Sequence, residues 1–162
     1  MNNEGMYIRK LQDLHRDCIS SQWERPTLSK APHKPLLLLC VTDLYLENSG
    51  RDNRIEPTLY LEESFDEYWR LLFGSDNTST FALTFFHLQN DEFWFLVGPN
   101  GNSVDDPGIS KTSASLRKAV AFAKLDDGLH ALLRRPEWVH HLRSVTISSN
   151  FAPETHSRFI KL

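Results

Sequence analysis

The stretch that most limits how this chain can fold is PHKPLLLLCVTDLYL, residues 32–46, where a proline-bracketed His-Lys pair runs into an almost unbroken apolar segment. Proline suits the first helical position, where a backbone N–H would have no partner, so a helix is expected from Pro35 to about Glu47. A helix that is apolar nearly all round must be covered on several sides, which makes it the central element of a core. Its beginning, with His33 and Lys34, then has to emerge at the surface. Two potentially cationic side chains at the mouth of a greasy helix are the first candidate site.

The segments around it can be read in the same way. YIRKLQDLHRDCI, residues 7–19, spaces Ile8, Leu11, Leu14 and Cys18 at helical intervals and predicts an amphipathic helix. Two prolines and several small polar residues predict a loop over 20–34. A second amphipathic helix is expected ahead of Gly74, with Phe65, Tyr68, Trp69, Leu72 and Phe73 on one side and the glycine as its C-cap. FALTFFHLQNDEFWFLV, residues 81–97, sets aromatic and branched residues on either side of Gln89-Asn90-Asp91 and predicts a β-hairpin.

Residues 98–112 are rich in turn formers and predict an exposed loop. Helices are expected near 113–124, 126–134 and 136–149, with Asp126 and Pro136 as start signals. The fold class implied is α+β: a predominantly helical single domain over residues 1–162 with a small antiparallel β-hairpin or sheet.

The 162 residues suffice for one well-filled core but not comfortably for two. Cys18 and Cys40 form no Cys-x-x-Cys array, which excludes a zinc ribbon and fits a reducing cytosol. No window approaches the roughly 18 apolar residues of a membrane helix, and no signal-like apolar run follows Met1, so a soluble, cytoplasmic protein is expected. The charges separate along the chain. Residues 47–106 carry three Lys/Arg against twelve Asp/Glu, and residues 107–162 carry nine against four. A basic C-terminal third can present a positive face on a chain of net charge −3, and a patchwork of solvated surfaces explains the charges equally well.

Catalytic patterns are missing. There is no His-Glu-x-x-His, Gly-x-Ser-x-Gly or Walker loop, and His140-His141 would point about 100° apart on a helix, unsuited to one metal. An HNH nuclease arrangement is not supplied either. No enzyme, metal or cofactor is expected.

Binding is better supported. A helix start favours an anion, to which Lys34 adds a charge and His33 a donor, so a phosphate is expected there; the plainer alternative is a capping His33 and a solvated Lys34. Arg25, Ser29 and Lys30 on one loop, and Ser110, Lys111, Thr112 and Ser113 on another, offer further donors of the kind that position a nucleic-acid backbone.

APHKPLLLL, TFFHLQNDEFWFLV and LDDGLHALLRRPEWVHHLRSVTISSNF together resemble, in order and spacing, the sulfur-binding domain found ahead of HNH nuclease domains in phosphorothioate-dependent type IV restriction endonucleases, over roughly residues 7–153. The resemblance implies recognition of double-stranded DNA in which sulfur replaces a non-bridging phosphate oxygen, within bacterial defence. It implies a cytoplasmic, nucleoid-associated module whose cutting domain, where there is one, lies outside residues 1–162. The family's His-basic pair matches His33-Lys34. Its Tyr-Pro pair falls on Leu83-Thr84, the small residue three beyond falls on His87, and a distal arginine has its nearest counterpart at Lys111. Gln89 and Asn90 complete the expected DNA contacts.

Sulfur is more polarizable than oxygen and a poorer hydrogen-bond acceptor, so an apolar pocket selects it. Burying about 40 Å² of it is worth on the order of 1 kcal/mol, which leaves ordinary phosphate contacts to supply most of the affinity. Two other readings stay open: a DNA-binding module without sulfur selectivity, suggested by the missing Tyr-Pro, and a protein-interaction module built on an exposed aromatic hairpin.

Overall fold

The computed structural model of the chain describes residues 3–12, 32–74 and 81–159. They form a mostly helical α+β fold with one small antiparallel sheet. The order is α1 (Asn3–Gln12), α2 (His33–Glu47), α3 (Leu59–Phe73), α4 (Phe81–His87), a 3-10 turn (Leu88–Asp91), β1 (Trp94–Val97), a second 3-10 turn (Pro107–Lys111), α5 (Ser113–Ala119), β2 (Phe122–Leu125), α6 (Asp127–Leu133), α7 (Pro136–Asn150) and a closing 3-10 segment (Pro153–Phe159).

Helix α2 is the central element its composition demands. It packs against α3, α4 and α7 and is buried from Lys34 through Thr42, with Leu36, Leu37 and Leu39 fully enclosed. Each such leucine contributes about 1.5–3 kcal/mol of burial, and a carboxylate at any of them would leave a charge with no water. The helix starts two residues before Pro35. Pro35 therefore stands third, and the first internal bond runs from the Leu36 N–H to the Pro32 carbonyl at 3.0 Å.

Polar groups at the far half of α2 are satisfied by one network. Arg143 of α7 donates through Nη1 to Asp43 Oδ1 at 2.7 Å, to Thr42 Oγ1 at 2.8 Å and to the Leu39 carbonyl at 3.2 Å. Tyr68 of α3 donates to Asp43 Oδ2 at 2.6 Å. One guanidinium thus ties three helices together, and its planar fork makes lysine a poor replacement. Burial pushes the Tyr68 phenol up despite the neighbouring Arg143 charge.

Several expectations hold. Gly74 closes α3 in the left-handed region at φ 74°, and the helix start, for which the sequence reading named no cap, is held by Thr58, which accepts from the Leu61 N–H at 3.1 Å. Pro136 opens α7, and Asp126 precedes α6. The stretch 13–19 of the first expected helix lies outside the described residues.

Two expectations are corrected. The hairpin over 81–97 does not form: residues 81–87 are helical, the Leu88–Asp91 turn continues them, and only Trp94–Val97 is a strand. The aromatic content that suggested strands instead fills a helix buried on most sides. Phe81 and Phe85, one turn apart, face Phe65 and Trp94, and the Trp94 Nε1–H donates to the Phe85 carbonyl at 2.9 Å. Packing has overridden β propensity.

The helix expected over 113–124 ends at Ala119, and Phe122–Leu125 pairs antiparallel with β1 in the register Trp94↔Leu125, Phe95↔Lys124, Leu96↔Ala123, Val97↔Phe122. Ala123 and Leu125 point inward while Phe122 and Lys124 stay outward, an alternation too short to stand out in sequence. Ile55 extends the sheet by exchanging two 2.8 Å backbone bonds with Ala123. The partner of β2 thus lies about thirty residues away in sequence instead of across a tight turn.

Candidate functional site

His33 is the first residue of α2, and its ring lies 5.1 Å from that of Trp69 on α3, which in turn packs 4.5 Å from Phe73. This half-buried aromatic cluster strips water from the imidazole. Burial lowers its pKa to about 4, so His33 is neutral near pH 7. It brings a ring with donor and acceptor nitrogens to the corner, and no charge.

Lys34 does not emerge at the surface, and this corrects the expectation of a solvent-facing cation. It is 8% exposed, and its Nζ meets Asp91 Oδ2 at 2.5 Å. The Asp91 carboxylate thus neutralises the charge that the sequence reading reserved for a phosphate. Such a pair survives burial because each charge has a partner, and removing either one takes from the other its opposite charge in low dielectric.

The ion pair crosses 57 positions of sequence and fastens the start of α2 to the 3-10 turn after α4. Around it stand Gln89, half-buried, and Asn90, exposed. His87 is half-buried at the end of α4, its pKa lowered by desolvation and by the Lys34 charge. Helix α4 also packs against the Pro107–Lys111 turn. The structure therefore brings α2's first turn, α4 with its LQND turn, and the 107–111 turn into one neighbourhood.

The remaining candidates divide by exposure. Leu83 is 45% exposed and Lys111 is exposed, whereas Thr84, at 4%, lies inside. Ser110 is buried and donates to the Pro107 carbonyl at 2.7 Å, closing its own turn. Ser113 donates to Glu62 Oε2 at 2.8 Å, and Glu62 also holds Arg117, so this serine links α5 to α3. Asp105 and Asp106, both exposed just ahead of the 107–111 turn, weaken the positive potential Lys111 can offer. Arg25, Ser29 and Lys30 lie outside the described residues.

From sequence, Asp91 and Trp69 read as a turn residue and a helix-face residue, not as parts of this corner. Asp91 is the acidic end of LQND, and only the chain reversal through α4 reveals that it faces Lys34. Among the described residues, no group of His, Cys, Asp and Glu side chains is arranged to hold a metal ion, and no helix is long and apolar enough to cross a membrane. No protein-family model matches the chain, and no curated protein matches it.

Proposed function

We propose that the chain is a DNA-recognition module for phosphorothioate-bearing double-stranded DNA, the targeting part of a restriction endonuclease whose cutting domain lies outside these residues. The reading rests on one observation. Two of the three stretches that carry the resemblance, those with PHKP and LQND, meet through the Lys34–Asp91 ion pair. In this reading Lys34 shapes the corner, Leu83 offers the apolar surface for sulfur, and His33, His87, Gln89, Asn90 and Lys111 supply polar contacts to the phosphate and its neighbours. Arg25, Ser29 and Lys30 would add to them. Ser110 and Ser113 act through the turn and helix they fasten.

A second reading, DNA binding without sulfur selectivity, is favoured by Thr84. The position matching the family's pocket proline is buried in this chain, which leaves Leu83 with less apolar company. The hairpin on which the protein-interaction reading rests does not form: residues 81–87 are a helix with Phe81 and Phe85 enclosed, Phe93 and Trp94 beyond it are enclosed too, and Phe95 is the aromatic of this stretch left exposed.

Gel-shift titration of one duplex with and without a single Rp phosphorothioate tests the proposal. Tighter binding of the modified duplex, by about fivefold or more, is the expected result given the roughly 1 kcal/mol available from sulfur burial. Equal binding supports the second reading, and binding of neither duplex overturns both.

A further inference from the structure

The sheet has one face against the core and one toward solvent. Trp94, Leu96, Ala123 and Leu125 point inward, and Phe95, Val97, Phe122 and Lys124 point outward. Phe95 is 48% exposed, an unusual setting for a phenyl ring in a chain that encloses most of its aromatics. Its direct cross-strand partner is Lys124, so their Cα atoms are about 5 Å apart. Beyond Lys124, the segment bridged through Ile55 contributes Arg54, whose guanidinium sits 4.3 Å above the Phe122 ring. Two cations and two phenyl rings therefore share one open surface.

Neither Arg54 nor Lys124 makes an ion pair with a described residue. Exposed Glu56, two residues from Arg54, is a negative group on the same edge. We propose that this face binds single-stranded nucleic acid, with an unpaired base stacked on Phe95 and the adjoining phosphates held by Lys124 and Arg54. Alternating aromatic and cationic groups suit that ligand because every base offers a π-face and every linkage a negative charge. An acidic peptide would satisfy the two cations but offer Phe95 no comparable stacking surface. A second copy of the chain, meeting this face through a two-fold axis, would bring Arg54 and Lys124 toward their own counterparts. The inference does not rest on sulfur recognition, since it concerns an unpaired strand and a different part of the fold.

The test is fluorescence anisotropy of the whole chain with a labelled oligo(dT) that carries no sulfur. Binding that weakens with salt is expected. Phe95→Ala should weaken it roughly tenfold and Phe95→Trp should retain it. Lys124→Gln should flatten the slope of log K against log salt by about 0.7, the value of one lost single-strand phosphate contact. Both positions are exposed, so unchanged thermal melts are expected alongside.

Absence of oligo(dT) binding would overturn the proposal, as would equal affinity for Phe95→Ala. So would oligoglutamate competing as well as unlabelled oligo(dT), or concentration-dependent dimerisation abolished by Phe95→Ala. Failure of the phosphorothioate gel shift alone would leave this result untouched, because the two experiments share neither ligand nor residues.

Discussion

Lys34 and Asp91 form a buried ion pair, Nζ to Oδ2 at 2.5 Å, between the first turn of the most enclosed helix and a 3-10 turn 57 residues later. The consequence concerns geometry more than affinity. A lysine that the sequence presents as a cation for a ligand has an internal counter-charge, and any ligand at this corner meets surfaces that the pair has positioned.

Removing one partner should cost more than removing both. Lys34→Met leaves the Asp91 carboxylate buried without its lysine counter-charge, for an expected loss of about 3–5 kcal/mol in urea unfolding, while the Lys34→Met, Asp91→Leu double variant should recover most of it. If the single variant unfolds at the same urea midpoint as the parent, the pair is not a buried one in solution.

His33 gives the fold a pH dependence of definite sign. Its folded pKa of about 4 lies below the unfolded value near 6.5, so between these limits the unfolded chain binds the extra proton and stability falls as pH falls. The loss between pH 6.5 and pH 5 should be about 1.5 kcal/mol. His87 and His130, also shifted downward by desolvation first, act in the same direction. Unfolding free energies measured across that range should show a shallower slope for His33→Asn than for the parent.

What was legible in the sequence follows from how local each signal is. The α2 run, the Gly74 end of α3 and the Pro136 start of α7 are written in adjacent residues, and they form as expected. The pairing of β1 with β2 is not local. FAKL carries one alternation, and nothing near it indicates that Trp94–Val97 is its partner. For the candidate site, residue types were legible but burial was not: Lys34 and Thr84 read as surface groups until α4 is seen to be a helix laid against α2.

Gly128 has a specific steric role. A Cβ there would stand 2.6 Å from the Tyr7 hydroxyl, which donates to Asp126 just ahead of α6. Gly128→Ala should displace that hydroxyl and cost about 1–3 kcal/mol, because the half-buried Asp126 loses a donor. In a Tyr7→Phe background the closest atom is gone and the hydrogen bond is already absent, so the same glycine change should cost less. A double-mutant cycle on thermal unfolding reads the difference directly, and simple additivity would rule out the hydroxyl as the obstacle.

Leu83 is the residue on which sulfur selectivity turns in the proposed function. It is the exposed apolar side chain on α4, next to a Thr84 that is enclosed, so the apolar surface available to a sulfur atom from this pair of positions is Leu83's own. Leu83→Asn preserves size approximately and adds no charge, so it should reduce the preference for the phosphorothioate duplex toward unity and leave affinity for the unmodified duplex within about twofold, since phosphate contacts supply most of the binding. His33→Ala, which removes a ring packed at a tilt against Trp69 and polar contacts at the same corner, should instead weaken both duplexes together. Gel-shift titrations of the two variants against the same pair of duplexes separate these effects. If Leu83→Asn weakens both duplexes equally, the leucine is a general contact and the chain does not discriminate sulfur at α4.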